Sequence, residues 1–451
     1  MLGRRRIGKS RLIREFGKDF KIYFEIQGLG PDENATNQDQ LNHFSLALSE
    51  NFNIRKQHFE DWSEAFNHLA DLIKNKEALI LLDEISWMGR KDKLFSSKLK
   101  SAWDKHFSNS DKNFIVLCGS VSSWIQNNIL ENTNFVGRVS MALNLGPLSI
   151  PEIEQFWIQK KIKLSSMEKI LLLSVIGGVP KYLEEISPKQ SVEENITRLC
   201  FSEDGFLFKE YDRIFKDIFG AKYKILAVIL QNCLLSKNSP GVIAEKLGRK
   251  LNGDITDWIH ILEISGFVSR DYYSNPKGEV SKLNHLRITD NYIRFYLKYI
   301  LPLKLKIEKT GVVVDSLWKL KNFESILGYQ FENLILMNRE LVYPKLDLKN
   351  HQILSAAPHI QKKNTIHKMG CQIDLLIHTN LDVFYICEMK CKKIIDRSII
   401  KEVQKKVEAL NLPKGFSKKP VLIYCGEITA SDQEEIENYF LRIIHFNELT
   451  S

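Results

Sequence analysis

The sequence predicts a multidomain α/β protein, and three observations carry that prediction. At 451 residues the chain is too long to organise around one core. Near its start Gly3 to Ser10 reads G-x-x-x-x-G-K-S, the spacing of a phosphate-binding loop, and short apolar runs alternate with helical stretches after it. Past a helical middle, strand-like runs return in Cys371–His378 and Val383–Lys390.

Composition narrows the class. Hydrophobic residues make up 44% and charged residues 26%, as in a water-soluble globular chain. The longest apolar runs, ALILL and FIVL, are far too short to cross a bilayer, and no apolar signal segment follows the N-terminal arginines. No membrane association and a cytoplasmic location are expected. The seven cysteines include no C-x-x-C pair, so free thiols in a reducing compartment are expected rather than zinc or disulfides. The net charge is +9, and residues 221–317 hold 15 Lys and Arg against 9 Asp and Glu. That local surplus fits either a polyanion partner or a solvated lysine-rich surface.

In the loop, Gly3 and Gly8 permit backbone conformations that aim N–H groups at phosphate oxygens. Lys9 is placed to reach the β- and γ-phosphates and Ser10 to offer its hydroxyl to Mg²⁺. Arg6 and Arg11 are assigned to the same nucleotide site. The stretch RLIREFGK begins an amphipathic helix whose N-terminus also favours anions.

Residues 77–88, EALILLDEISWM, then supply a doubly buried strand ending in Asp83 and Glu84. Asp83 suits the magnesium shell, through water, and Glu84 suits a base that orients attacking water. NFIVLCGS gives another buried strand, and a polar residue at its end, Ser120 first and Ser122 next, is placed to sense the γ-phosphate or position the water.

GRRRIGKS, LLDEISWM, LCGS and FVGRVSMALNLGPLS together resemble the P-loop ATPases abundant in archaea, relatives of the AAA+ and STAND groups. This resemblance implies a P-loop AAA+-like ATPase core over 1–150 that binds and hydrolyses ATP with Mg²⁺. It implies that Arg138 approaches the nucleotide as an arginine finger or sensor; a structural surface arginine is the alternative. GGVPKYL, residues 177–183, resembles the family's lid, which places a helical lid at 151–220. AAA+ relatives form rings and STAND relatives switch as monomers, so a homo-oligomer is one expectation. Family members carry a first strand ahead of the loop. It is expected to be missing here, leaving a gap between the strands of Asp83 and Ser120 and putting hydrolysis in doubt.

Residues 221–316 read as three helices and a hairpin, AKYKILAVILQN, SPGVIAEKLGRK, ITDWIHILEISGF, then FVSRDYY and KLNHLRIT around SNPKGE. This is a winged-helix pattern, and the resemblance covers it. Its third helix carries Asp254, Asp257 and Glu263, which repel phosphate, while the cations lie in Lys246, Arg249 and Lys250 and in Arg270, Lys277, Lys282 and Arg287. Shape or backbone contact with nucleic acid and internal docking are both open.

Residues 317–451 read as a restriction-endonuclease-like α/β domain. Asp374, Glu388 and Lys390 form D-x13-E-x-K, a signature of such nucleases, with Glu332 on the preceding helix. A period of two puts Glu388 and Lys390 on one strand face. Asp374 and Glu388 would hold Mg²⁺, Glu332 would complete its shell, Lys390 would act beside the attacking water, and Gln404 and Lys405 would be auxiliary. The leading expectation is an ATPase coupled to a Mg²⁺-dependent DNA nuclease, an arrangement suited to genome defence or mobile-element biology. The alternative is a STAND-like regulatory switch whose nuclease-fold domain is inactive and used for contact.

Overall fold

A computed structural model of the chain describes residues 1–30, 35–120, 123–234, 238–274, 280–311, 314–361, 369–412 and 415–450. Ser122 and Lys277 lie outside the described residues, and so does the side chain of Lys282. Two compact units are formed. One comprises Met1–Gly146, Arg213–Tyr223 and Ile264–Gly266, the other Pro147–Asp212, Lys224–Glu263 and Phe267–Ser451. Among the described residues no helix is long and apolar enough to cross a membrane.

The first unit is built on three parallel strands in the order β1 (Ile22–Gln27), β2 (Ala78–Asp83), β3 (Asn113–Leu117). β2 is buried along its whole length, as a central parallel strand must be. Helices Asn37–Phe52, Trp62–Ile73 and Phe95–Lys105 supply the apolar side chains of its main core. There Trp62 packs edge-on against Phe44 and Phe95 at 5.4 and 5.0 Å between ring centroids. Truncating a fully buried ring of this kind costs about 3–5 kcal/mol. Asp61 fixes the start of the second helix by accepting from the N–H groups of Ser63 and Glu64.

The expected gap between the strands of Asp83 and Ser120 is not there. β2 and β3 are direct hydrogen-bonded neighbours, Ala78 opposite Asn113 through Leu82 opposite Leu117. Strand pairing next to the phosphate loop occurs instead on the far side of β3. Leu2 bridges Gly119 and Asn144 in parallel sense, its N–H donates to Leu143 at 2.7 Å, and the Met1 amino group donates to the Leu117 carbonyl at 2.7 Å. A cavity of about 530 Å³ opens beside this pairing, lined in part by Met1, Phe114, Ile115, Met141 and Leu143.

The second unit begins with helices that announce themselves by capping. Ser149 with Glu152 and Ser165 with Glu168 form capping boxes on Ile150–Gln159 and Ser166–Ile176. Pro180 opens helix Pro180–Glu184 just after Gly177 and Gly178. Helices Tyr223–Asn232, Pro240–Lys246 and Gly253–Ile264 then lead into an antiparallel ribbon of β4 (Val268–Ser274) and β5 (Val280–Ile288). Two cations expected to be presented by the ribbon are consumed internally. Arg270 is bidentate to Glu263 at 2.9 Å, and buried Arg287 pairs with Asp271 at 2.9 Å.

Helix Phe323–Met337 precedes a five-stranded mixed sheet, in the order β10-β9-β8-β7-β6. Its strands are β6 (Ile353–Gln361), β7 (Cys371–Thr379), β8 (Val383–Ile395), β9 (Ser417–Ile428) and β10 (Arg442–His445). β6, β7 and β8 form an antiparallel meander; β9 and β10 add in parallel after helices Ser398–Ala409 and Gln433–Tyr439. All seven cysteines are free thiols.

Candidate functional sites

The phosphate loop has the backbone its glycines foretell. Gly8 sits at φ 90° as the N-cap of helix Lys9–Gly17, a left-handed conformation that costs an L side chain about 1–2 kcal/mol. At Gly3 a Cβ would come within 2.6 Å of the Leu145 carbonyl oxygen. Arg6 also adopts positive φ, 74°, so the loop holds local strain of the sort found at ligand sites. Arg11 lies exposed on the first turn of that helix.

Around this loop the assigned side chains meet. Ser10 Oγ donates to Asp83 Oδ2 at 2.6 Å. The other Asp83 oxygen accepts the Glu84 N–H at 3.0 Å. Lys9 is buried, its ammonium satisfied by the carbonyls of Gly3 and Arg4 at 2.9 and 3.2 Å. Glu84, held at φ 47°, accepts from both the hydroxyl and the N–H of Ser120 at 3.2 and 3.3 Å. A hydroxyl and a carboxylate side by side are hard oxygen donors, so the pair Ser10–Asp83 fits Mg²⁺. Beside Asp83, burial pushes the Cys118 thiol far up and keeps it inert.

Arg138 is not part of this cluster. Its guanidinium is bidentate to Asp104 at 2.7 and 3.0 Å, with a third contact to the Val136 carbonyl. In this structure the guanidinium is engaged in that ion pair.

The second cluster stands on β7 and β8. Leu375 pairs with Cys387 in the antiparallel register, so Asp374 and Glu388, one step further along, face the same way. Both are buried, and Asp374 accepts the Met389 N–H at 2.9 Å. Burial raises the Asp374 carboxyl above its ordinary range, and the negative charge of Glu332 raises it further. Glu388 is raised by burial and then by Asp374, with Lys406 and Lys390 opposing. Lys390 lies 3.1 Å from Glu388 Oε1, as the two-residue period requires. Burial works to lower its pKa, but Glu388 and Glu402 outweigh that and push it up to about 12.

Two buried carboxylates that repel each other are a donor set suited to a divalent cation. Among the described residues, however, no three His, Cys, Asp or Glu side chains converge closely enough to hold a metal ion, so Glu332 acts on Asp374 through its charge rather than as an assembled third donor.

The auxiliary residues are a correction. Gln404 is exposed and donates to Glu408, and Lys405 is exposed. Lys406 and Glu402 face the carboxylates instead, Lys406 at 2.5 Å from Glu388 Oε2 and Glu402 at 2.8 Å from Lys390. Helical spacing held that signal. Ile399 and Val403 are the buried stripe of Ser398–Ala409, and positions 402 and 406 flank it one turn apart.

Residues 1–186 match the model of a family described as an ATPase domain predominantly from Archaea. An uncharacterized protein of Methanocaldococcus jannaschii is 26% identical over 338 residues, 74% of this chain and 70% of that protein. A Walker-type ATPase of Pyrococcus abyssi is similar at 16% identity and a TM-score of 0.48, over 66% of this chain and 89% of its own. The ORC2 protein of Aeropyrum pernix is similar at 12% identity and a TM-score of 0.38, over 67% and 86%. The loop, the acidic strand end and the serine beyond it form one cluster within the residues that match this ATPase domain.

Proposed function

We propose that the chain binds ATP with Mg²⁺ and hydrolyses it, and that its C-terminal sheet carries a metal-dependent site for cleaving DNA. The observation supporting the first part is the contact of Ser10 with Asp83 at 2.6 Å beside an acid, Glu84, held by Ser120. On nucleotide binding Lys9 exchanges the carbonyls of Gly3 and Arg4 for phosphate oxygens, and the first-turn amides of helix Lys9–Gly17 point at the same charge. Ser10, and Asp83 through water, would hold Mg²⁺, which would supply charge neutralisation at the phosphates. Glu84 orients water and accepts its proton, and Ser120 fixes the direction of that carboxylate.

In the second site Asp374 and Glu388 would hold Mg²⁺, the Glu332 charge acting on Asp374, and Lys390 would stand beside the attacked phosphate. Release of inorganic phosphate from ATP, and cleavage of varied DNAs with Mg²⁺ or Mn²⁺, test the two parts separately. Cleavage that Lys390→Ala leaves unchanged would remove the second.

A regulatory reading, in which the nuclease-like sheet serves only for contact, is favoured by one observation. Arg270 and Arg287, the two ribbon cations whose side chains are described, are neutralised by Glu263 and Asp271. Tight ADP retention with negligible turnover and no cleavage is its signature.

A further inference from the structure

Glu388 is held by two ammonium groups of different origin. Lys390 comes from its own strand, and Lys406 comes from helix Ser398–Ala409, the latter at 2.5 Å from Oε2. Both lysines also reach Glu402, Lys390 at 2.8 Å and Lys406 at 3.8 Å. Two carboxylates and two ammoniums therefore alternate around a closed ring. The ring is graded in depth. The Glu388 side chain is 2% exposed, the lysines 21% and 20%, and Glu402 45%. Asp374 lies beside Glu388 as a third carboxylate. The five groups carry three negative charges and two positive ones, so the buried end stays neutral enough to fold without another cation.

The ring also sets the terms on which another cation enters. A divalent ion coordinated by Asp374 and Glu388 has to share the Glu388 carboxylate with Lys406, which engages Oε2 at 2.5 Å, and with Lys390, 3.1 Å from Oε1. Glu402, one helical turn away from Lys406 and more exposed, already lies within ion-pair distance of that ammonium, at 3.8 Å. We propose that Lys406 is the resident counter-ion of Glu388, that a divalent metal must displace it to bind, and that Glu402 receives it when displaced. The inference rests on the reading of Asp374 and Glu388 as metal donors and adds a residue that sets the affinity of that site.

The test is Mn²⁺ binding to the full chain at pH 8, followed by electron paramagnetic resonance of the free ion. Binding lost in Glu388→Gln defines this site apart from the nucleotide site. Lys406→Met, which keeps chain length and removes charge, is expected to tighten that component by about tenfold or more, the removal of one competing charge. Glu402→Gln, a change at an exposed position, is expected to weaken it several-fold by removing the receiving carboxylate. Unchanged or weaker binding in Lys406→Met overturns the competitor role and leaves the metal site standing, and unchanged binding in Glu402→Gln overturns the exchange. If no Mn²⁺ component responds to Glu388→Gln in any of the proteins, the metal reading itself falls, and this inference with it.

Discussion

The hydroxyl of Ser10 donates to Asp83 Oδ2 at 2.6 Å, joining residues 73 positions apart in the chain. It ties the first turn of the helix after the phosphate loop to the end of β2. Ser10→Ala should lower Mg²⁺-ATP affinity by about ten- to a hundredfold while leaving metal-free nucleotide binding nearly unchanged, because the loop amides and Lys9 remain. Calorimetric titration with and without Mg²⁺ reads that difference.

Glu84 and Ser120 should separate by the size of their effects. Glu84→Gln keeps the shape and removes the base, so turnover should fall by about 100-fold or more with ATP binding retained. Ser120→Ala only loosens the direction of Glu84, for which a loss of about tenfold is expected. Equal losses in both variants would place Ser120 in direct contact with the reacting water. Steady-state phosphate release decides this.

Arg138 should be dispensable for chemistry. An arginine finger contributes about 10³- to 10⁵-fold to turnover. Here the guanidinium is bidentate to Asp104, so Arg138→Ala should change the ATPase rate of the isolated chain by no more than about threefold. A thousandfold loss would mean that the Asp104 pair opens when nucleotide binds.

Asp374 gives a pH-dependent prediction. Burial and the Glu332 charge raise its pKa in the folded state above that in the unfolded state. The folded state therefore binds the proton more tightly, and stability is lost as pH rises through the folded pKa. Asp374→Asn keeps an acceptor for the Met389 N–H and removes the ionisation, so it should stabilise the fold at pH 8 by about 1–3 kcal/mol and change little at pH 4. Urea unfolding at the two pH values checks the sign, and the same variant should have lost any cleavage activity.

How much of this could be read from sequence follows from how local each signal is. The loop and the strand ends were legible because phosphate loops need glycine at fixed offsets and buried strands need unbroken apolar runs, as in Ala78–Leu82. Glu388 with Lys390 was legible because a strand alternates faces. Strand adjacency was not. That β2 pairs directly with β3, while Met1 and Leu2 pair beyond β3, is a long-range choice that no local pattern encodes. β1 escaped because Ile22–Gln27 mixes Glu25 and Gln27 into a short run, and its Glu25 is balanced only in three dimensions, by Arg14 at 2.6 Å. Gln404 and Lys405 differ from Glu402 and Lys406 in helical phase by one or two positions at about 100° per residue, and no local pattern fixes which side of the helix's buried stripe meets β8.

The central claim is that Lys9, Ser10, Asp83 and Glu84 form one working ATP site, and single-turnover hydrolysis of radiolabelled ATP by wild type, Lys9→Ala and Glu84→Gln measures it most directly. The account predicts hydrolysis by wild type, bound but uncleaved ATP in Glu84→Gln, and neither binding nor cleavage in Lys9→Ala. ATP bound equally well by wild type and Lys9→Ala, or no ATP bound by wild type in the presence of Mg²⁺, would contradict it.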